Sequence, residues 1–269
     1  MKTTIVTPWH NESQRDLFTS AWGINSSDNR FVLQQDTDKS GGARTKNVGI
    51  RKAIDSGADC VIVLDDDCFP NEEAPTVDAL IEAHVKALDP QPVAMFAEVT
   101  SPPSRGTPYF NRTIEMPVAA SLGFWTDIGD YDAASQLVYG ARHPMTFRRE
   151  AIHGQYFPLC GMNLAFRAEW WPWCQFVVDV GRMDDIWQGF LWQKKAYATG
   201  HCFNLNGPLV RHSRQSNVWQ NLKDEANNLE RNETIWQDIH RDPSFEYEEL
   251  VRHTLSDGRD RACVALRIR

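Results

Sequence analysis

The sequence has no apolar run long enough to cross a bilayer, no regular cysteine spacing, no excess of positive charge and no internal repeat. Each absence closes off a class. Without a stretch of roughly 20 apolar residues there is no transmembrane helix to expect. The N-terminal segment from Met1 to His10 lacks the apolar centre of a signal peptide or an anchor, so the expectation is a soluble, cytoplasmic protein with no membrane partner. Six cysteines in irregular spacing suit a reducing compartment better than a disulfide framework. A net charge of −8 argues against a broad nucleic-acid-binding face, while leaving room for a local basic patch. No Gly-x-Gly-x-x-Gly follows the first apolar run, which speaks against NAD. No Gly-Lys-Ser/Thr loop is present, which speaks against a P-loop NTPase. What remains is a 269-residue chain of ordinary charged and apolar content, suited to one large α/β domain or two small ones and able to bury a substantial core. Ten tryptophans offer flat surface for sugars or bases, or simply fill that core.

The chain is organised around Val61-Ile62-Val63-Leu64-Asp65-Asp66-Asp67-Cys68-Phe69-Pro70. Four apolar residues, three of them β-branched, read as a strand buried on both faces. Three carboxylates arrive where the strand must stop, and open α/β sheets bind ligands at the carboxyl ends of their strands. Charges this close need a cation. A hard divalent ion shared with substrate phosphates supplies one. The alternative is an acidic loop or helix cap.

Taken in order, Thr3 to Thr7 reads as a first strand stopped by Pro8. Asn11 or Ser13 caps a helix through Trp22, with Leu17, Phe18 and Ala21 on one face. Phe31 to Leu33 is a second strand, ending in a polar turn with Asp36 and Asp38. One of these carboxylates could meet a base or ribose, and turn chemistry explains at least one of them. Ala43 to Ser56 reads as a helix with Val48, Ile50 and Ile54 apolar. Arg44, Lys46 and Asn47 at its start suit a diphosphate, or form an ordinary solvated helix end. A helix from Pro75 to Leu88 and a strand from Val93 to Ala97 follow. This strand–helix alternation predicts a parallel, Rossmann-like sheet in residues 1–100.

From Ser101 the alternation breaks, in a length more often functional than filler. Asn163 precedes a strand-like run to Arg167. Asp184 and Asp185 open a helix to about Tyr197, and a strand from Cys202 to Leu205 leads to Val210-Arg211-His212-Ser213-Arg214. From Val218, Leu222, Ala226 and Leu229 stand at helical spacing, then Trp236 and Ile239. These read as a helical appendage, 217–269, packing on the sheet. Residues 1–216 are expected to form one domain, with a nucleotide-binding half (1–100) and a second half (101–216) that the resemblance below makes the acceptor half of a catalytic domain.

Several ordered blocks carry a resemblance. Asp65-Asp66-Asp67-Cys68-Phe69, Arg105-Gly106-Thr107-Pro108-Tyr109 with Arg112, Asp130-Tyr131-Asp132-Ala133 with Gln136-Leu137-Val138, and Cys160-Gly161-Met162-Asn163-Leu164-Ala165-Phe166 are similar to blocks of the reversibly glycosylated polypeptides, or UDP-arabinopyranose mutases. So are Arg182-x-Asp184-Asp185-x-Trp187-x-Gly189, His212-Ser213-x-x-Ser216-Asn217 and Asn221-Leu222-Lys223. They run in family order over roughly residues 30 to 240. The resemblance implies a GT-A glycosyltransferase fold: α/β, a mostly parallel central sheet flanked by helices, with a helical C-terminal tail. Departures are Lys46 where the family usually carries Arg, the run Trp170-Trp171-Pro172-Trp173, and a chain shorter than the plant members.

The resemblance further implies roles. Asp65 and Asp67 stand as the DxD pair holding Mn²⁺ or Mg²⁺, with His212 as a further ligand. Asp36, Arg44, Lys46, Asn47, Asp65, Asp66, Asn163 and Arg214 are candidates for binding the nucleotide-sugar. Asp184 and Asp185 are acceptor-side carboxylates. Arg105 matches the position that reversibly accepts the sugar, and Arg112 a second arginine required for it. A guanidinium stays protonated, so an arginine nucleophile needs a carboxylate nearby; phosphate or carboxylate binding is the alternative role for both. The implied activity is metal-dependent use of a UDP-sugar, UDP-arabinose or a related sugar, with self-glycosylation or pyranose–furanose interconversion. Two alternatives stand beside it. One is transfer to an external acceptor, a glycan or a hydroxylated base in viral DNA, which Arg142, Arg148, Arg149 and the run with Arg259, Arg261, Arg267 and Arg269 could meet. The other is a non-catalytic nucleotide-sugar-binding scaffold. Assembly into a homo-oligomer is compatible with all three.

Overall fold

The computed structural model of the protein describes residues 1–246, apart from 26, 38, 40, 98–100, 102–104, 106, 109, 215 and 216. The predicted roles of Asp38, Gly106, Tyr109, Ser216 and the arginines beyond position 258 lie outside the described residues.

Three strand–helix units build the first half: β1 (Thr3–Trp9), α1 (Glu12–Trp22), β2 (Phe31–Gln35), α2 (Gly42–Asp55), β3 (Cys60–Leu64), a short β4 (Cys68–Phe69) and α3 (Val77–Ala87). The second half runs β5 (Gln91–Ala94), β6 (Thr113–Met116), β7 (Val118–Leu122), β8 (Trp125–Asp127), α4 (Ala133–Tyr139), β9 (Ala151–Ile152), β10 (Asn163–Arg167), α5 (Asp184–Ala198), β11 (Cys202–Asn204), β12 (Val210–His212) and α6 (Val218–Arg241). Short 3₁₀ turns cover Ala168–Trp173 and Gly181–Met183. Among the described residues no helix is long and apolar enough to cross a membrane.

The central sheet has seven strands in the order β2-β1-β3-β10-β7-β11-β9. Strands β2, β1, β3, β7 and β11 run one way; β10 and β9 run against them. This is the expected α/β sheet with helices packed on it, and β3 lies in its middle with every residue from Cys60 to Leu64 fully buried. Asn11 caps α1 as expected, its side chain accepting from Gln14 N.

The structure corrects the reading at four places. β1 continues through Pro8 to Trp9, in register with Gln34 and Gln35. The β1–β3 ladder ends at Val6↔Val63, so the side of β1 that Pro8 faces has no partner left, and its missing N–H costs no ladder bond. The predicted fourth parallel strand is instead β5, paired antiparallel with β6 in a ribbon outside the central sheet. Leu17 and Val48 are exposed, at 60% and 46%. The buried stripes run Phe18 to Trp22 on α1, and Ala43, Lys46, Ile50 and Ala53 on α2. Finally, α6 packs on α4 and α5. Its inward positions are Asn221, Glu225, Ile235 and Ile239, while Ala226 is exposed.

Candidate active site

The acidic triplet is fixed by its backbone before its side chains are considered. Asp65 N donates to Met162 O on the approach to β10 (3.1 Å), and Cys68 N returns to Asp65 O (3.0 Å), closing a tight turn through Asp66 and Asp67. Ser213 N donates to Asp67 O (3.1 Å), which brings the end of β12 alongside the turn. Gln14 of α1 donates to Asp66 O (2.8 Å), and the Trp22 indole to Cys68 O (2.9 Å). A turn held from three elements cannot relax to spread its charges, so those charges must be compensated in place.

Asp65 has a cation of its own, whereas Asp66 and Asp67 share Arg214. Lys46 reaches from α2, its Nζ 2.8 Å from Asp65 Oδ1, 3.1 Å from Oδ2 and 3.3 Å from Gly161 O. It lies 5.2 Å from the centre of the Phe176 ring. Burial works against its charge, but Asp65, Asp184 and Asp185 outweigh it and hold the ammonium well above the ordinary lysine range. Asp67 Oδ2 lies 3.0 Å from Arg214 Nη2 and 3.6 Å from His212 Nε2. Burial pushes Asp67 up; the His212 contact and the Arg214 charge pull it below its usual value. His212 Nδ1 contacts Ile128 O at 2.8 Å. With Nδ1 as donor to Ile128, Nε2 faces Asp67. Burial works against the imidazolium, but Asp67 outweighs it and raises His212 above its ordinary value. The charged ring therefore turns an Nε2–H toward the carboxylate, and only the neutral ring offers a lone pair there. Asp66 has the weakest compensation: Arg214 Nη1 is 3.6 Å from its Oδ1, its Oδ2 has no hydrogen-bond partner among the described residues, and burial raises it to about 7.

A second acidic pair opens α5. Asp185 Oδ2 accepts from Gly161 N (2.7 Å), and burial, reinforced by neighbouring Asp184, raises Asp185 to about 8. Burial likewise raises Asp184. Gly161 thus serves both sides, its N–H toward Asp185 and its carbonyl toward Lys46. A Cβ there would come 2.3 Å from the Phe176 ring, which is why this position needs glycine.

These groups line one cleft of about 340 Å³ with Lys46, Asp65, Asp67, Asp130, Asp132, Arg182, Asp184, Asp185, His212, Arg214 and Glu225 around it. Its apolar wall includes Trp125, Ile128, Met145, Leu159 and Met162.

Other predicted site residues stand elsewhere. Asn47 donates to and accepts from the backbone of Phe176, 2.9 Å each way, so it positions the ring beside Lys46. Asn163 is fully buried, bound to His84 Nε2 (2.8 Å), Pro208 O (2.9 Å) and Phe124 O (3.2 Å); it ties β10 to its neighbours. Arg44 pairs with Asp179 (2.8 Å). Asp36 accepts from Gly41 N (3.1 Å), a turn contact beyond β2. Arg105 is exposed, Arg112 is half-buried and donates to Pro108 O, and neither lines the cleft.

The expected metal ligands Asp65, Asp67 and His212 do not form one cage. Among the described residues no three His, Cys, Asp or Glu side chains are placed to hold an ion together, because Asp65 is turned to Lys46. Asp67 Oδ2 and His212 Nε2 face each other; with the His212 ring neutral, these two could hold a divalent ion whose remaining ligands would be diphosphate oxygens and water. Among the cleft residues to which the sequence gave no role are Glu225, on a polar helix that carried no signal, and Trp125.

The profile of the family described as "Reversibly glycosylated polypeptide" matches residues 54–240. The chain belongs to this family. Among its relatives, "Probable UDP-arabinopyranose mutase 1" of Pisum sativum is 33% identical over 196 residues, covering 66% of this chain and 52% of that protein. "UDP-arabinopyranose mutase 1" of Arabidopsis thaliana is 31% identical over 214 residues, covering 73% of this chain and 58% of that protein. This reversibly glycosylated polypeptide relative therefore spans about half the length of the curated proteins it matches. The crystal structure of S. aureus TarS 1-349 in complex with UDP-GlcNAc superposes with a TM-score of 0.50 at 12% identity, over 95% of this chain and 72% of that one. The likeness shows a shared fold, the GT-A fold expected from the sequence motifs.

Proposed function

We propose that this protein is a metal-dependent enzyme that cleaves a UDP-sugar, UDP-arabinose or a close relative, in the cleft at the end of β3. The observation that carries the reading is the convergence on Asp67 of His212 Nε2 and the Arg214 guanidinium, beside a lysine-compensated acidic turn. Breaking a sugar–phosphate bond leaves negative charge on the diphosphate and builds positive charge on the sugar. Arg214, about half exposed, can swing to the diphosphate as a bidentate donor. A divalent ion between Asp67 and His212 would add Lewis-acid stabilisation of the leaving group. Asp185, held near neutrality by burial, can take a proton from an attacking hydroxyl or face the developing positive charge.

The sugar's destination divides two readings. Family membership supports self-glycosylation, with mutase chemistry following from it. The position of Arg105, exposed and outside the cleft, favours transfer to an external acceptor. Intact mass after incubation with Mn²⁺ and a panel of UDP-sugars, with free UDP measured in parallel, separates them. A gain of one sugar that excess UDP erases, and that Arg105→Ala abolishes, establishes self-glycosylation. UDP release without mass gain establishes an external acceptor or water. Asp67→Asn abolishes UDP release in either case, with the fold intact by circular dichroism. Turnover that survives this substitution defeats the proposed donor site.

A further inference from the structure

Beyond the groups assigned to the diphosphate, one wall of the cleft carries polar groups that the proposed donor site leaves unused. Trp125 lines the cleft and is only 6% exposed, yet its indole N–H has no hydrogen-bond partner among the described residues. Buried donors are almost always satisfied; of the four indole N–H groups without a partner among the described residues, those of Trp9, Trp125, Trp170 and Trp192, Trp125 is the one whose residue lines the cleft. β8 holds Trp125 in parallel register with β12, Trp125 opposite Val210 and Asp127 opposite His212. The tryptophan therefore sits one strand repeat from the His212–Asp67 contact.

The same cleft holds a charged pair fixed from outside. Arg182 Nη2 lies 3.4 Å from Asp130 Oδ1, a distance too long for a strong bond. Arg182 Nε is held more tightly, 2.6 Å from Glu225 Oε1 on α6. Glu225 is 1% exposed, and its other oxygen takes the backbone N–H of Ala133 at the start of α4 (2.7 Å). One buried carboxylate thus sets both the guanidinium and the first turn of α4, which presents Asp132 and Gln136 to the cleft. A guanidinium and a carboxylate side by side, an unpartnered indole N–H in the wall and apolar side chains beside it match a polyhydroxylated ring. Its hydroxyls donate to Asp130 and accept from Arg182 and Trp125, and its C–H face lies on apolar side chains.

We propose that Trp125, Asp130 and Arg182 form the subsite that grips the sugar ring of the donor, and that Glu225 is the positioning residue that holds Arg182 in place. This rests on the donor-site reading above and adds to it the residues that discriminate a nucleotide-sugar from the bare nucleotide.

The test is calorimetric titration of the full chain, in Mn²⁺, with UDP and separately with UDP-arabinopyranose, UDP-glucose and UDP-galactose. The parent protein is expected to bind at least one of these sugars about tenfold more tightly than UDP. Trp125→Phe keeps the ring and removes the N–H; Asp130→Asn changes a partly exposed side chain. Each is expected to erase most of that tenfold preference while leaving UDP affinity within about twofold. Glu225→Gln is expected to act in the same direction, and Arg182→Lys on a fold-intact background supplies the control should Glu225→Gln unfold. If Trp125→Phe and Asp130→Asn leave the preference unchanged, or weaken UDP and UDP-sugar equally, the subsite is refuted while the donor site stands. If the parent protein binds no UDP at all, the donor-site reading fails, and the subsite falls with it.

Discussion

Replacing Lys46 by Met is the sharpest test of how this protein tolerates three adjacent carboxylates. The lysine is 8% exposed, its Nζ within 3.1 Å of both oxygens of Asp65 and 3.3 Å from Gly161 O. Methionine fills most of the same volume, so the loss is one of charge. Removing one member of a buried ion pair leaves the other uncompensated and costs about 3–5 kcal/mol. At about 2–4 °C per kcal/mol for a chain of this size, Lys46→Met should melt about 6–20 °C below the parent. A double-mutant cycle identifies the cause. If Asp65 is the carboxylate left stranded, adding Asp65→Asn should recover part of the loss, giving a coupling of about 1–3 kcal/mol. The assay is urea unfolding followed by tryptophan fluorescence, at fixed pH and without added metal. A Lys46→Met protein within about 1 kcal/mol of the parent, or a strictly additive cycle, would refute the claim that Lys46 is the resident cation of the acidic turn.

Other consequences can be measured on the same material. Burial raises Asp66 to about 7, so the folded state binds a proton that the unfolded chain releases near pH 4. Stability is then fully present below that value and declines as pH rises toward about 7. Asp66→Asn should flatten this decline, worth at most about 4 kcal/mol, and urea midpoints that keep the parent's slope between pH 4 and 7 would exclude it. Asp185, raised to about 8, should make turnover climb nearly tenfold per pH unit until about 8 if its ionised form is the working one. A rate profile flat from pH 6 to 8 would remove it from that role.

How much of this was legible in the chain depends on which force decides each element. β3, α5 and the acidic turn were readable because burial on both faces leaves an unbroken β-branched run and charge can only follow where it stops. β7 was not. Val118-Ala119-Ala120-Ser121-Leu122 has weak strand propensity, yet it is fully buried between β10 and β11. Its small side chains suit a crowded sheet interior, which is a property of neighbours, not of sequence. β5 failed in the opposite way. Its residues look like another parallel strand, but after α3 the chain leaves the sheet, and β10, from much later, takes the place beside β3.

The C-terminal helix shows most clearly why the site outran its sequence signal. An amphipathic reading seeks apolar residues at helical spacing, and Leu222, Ala226 and Leu229 supply them. The most buried line instead begins with Asn221 and Glu225 and ends in Ile235 and Ile239, with Leu229 partly buried against the same cluster. Its polar members are satisfied one by one: Asn228 donates to Val180 O (2.9 Å), Asn232 accepts from the Trp187 indole (3.0 Å), and Glu225 binds Arg182 and Ala133 N. A buried polar stripe cannot be told from a solvated face until its partners are known, and those partners lie about 40 to 90 residues away in the chain. The specificity of such contacts lies in direction and distance, which hydrophobic periodicity does not encode. Because Glu225 joins α6 to the cleft wall, removing this helix would strip Arg182 and α4 of their anchor. The helix read from sequence as an appendage is therefore a structural part of the cleft.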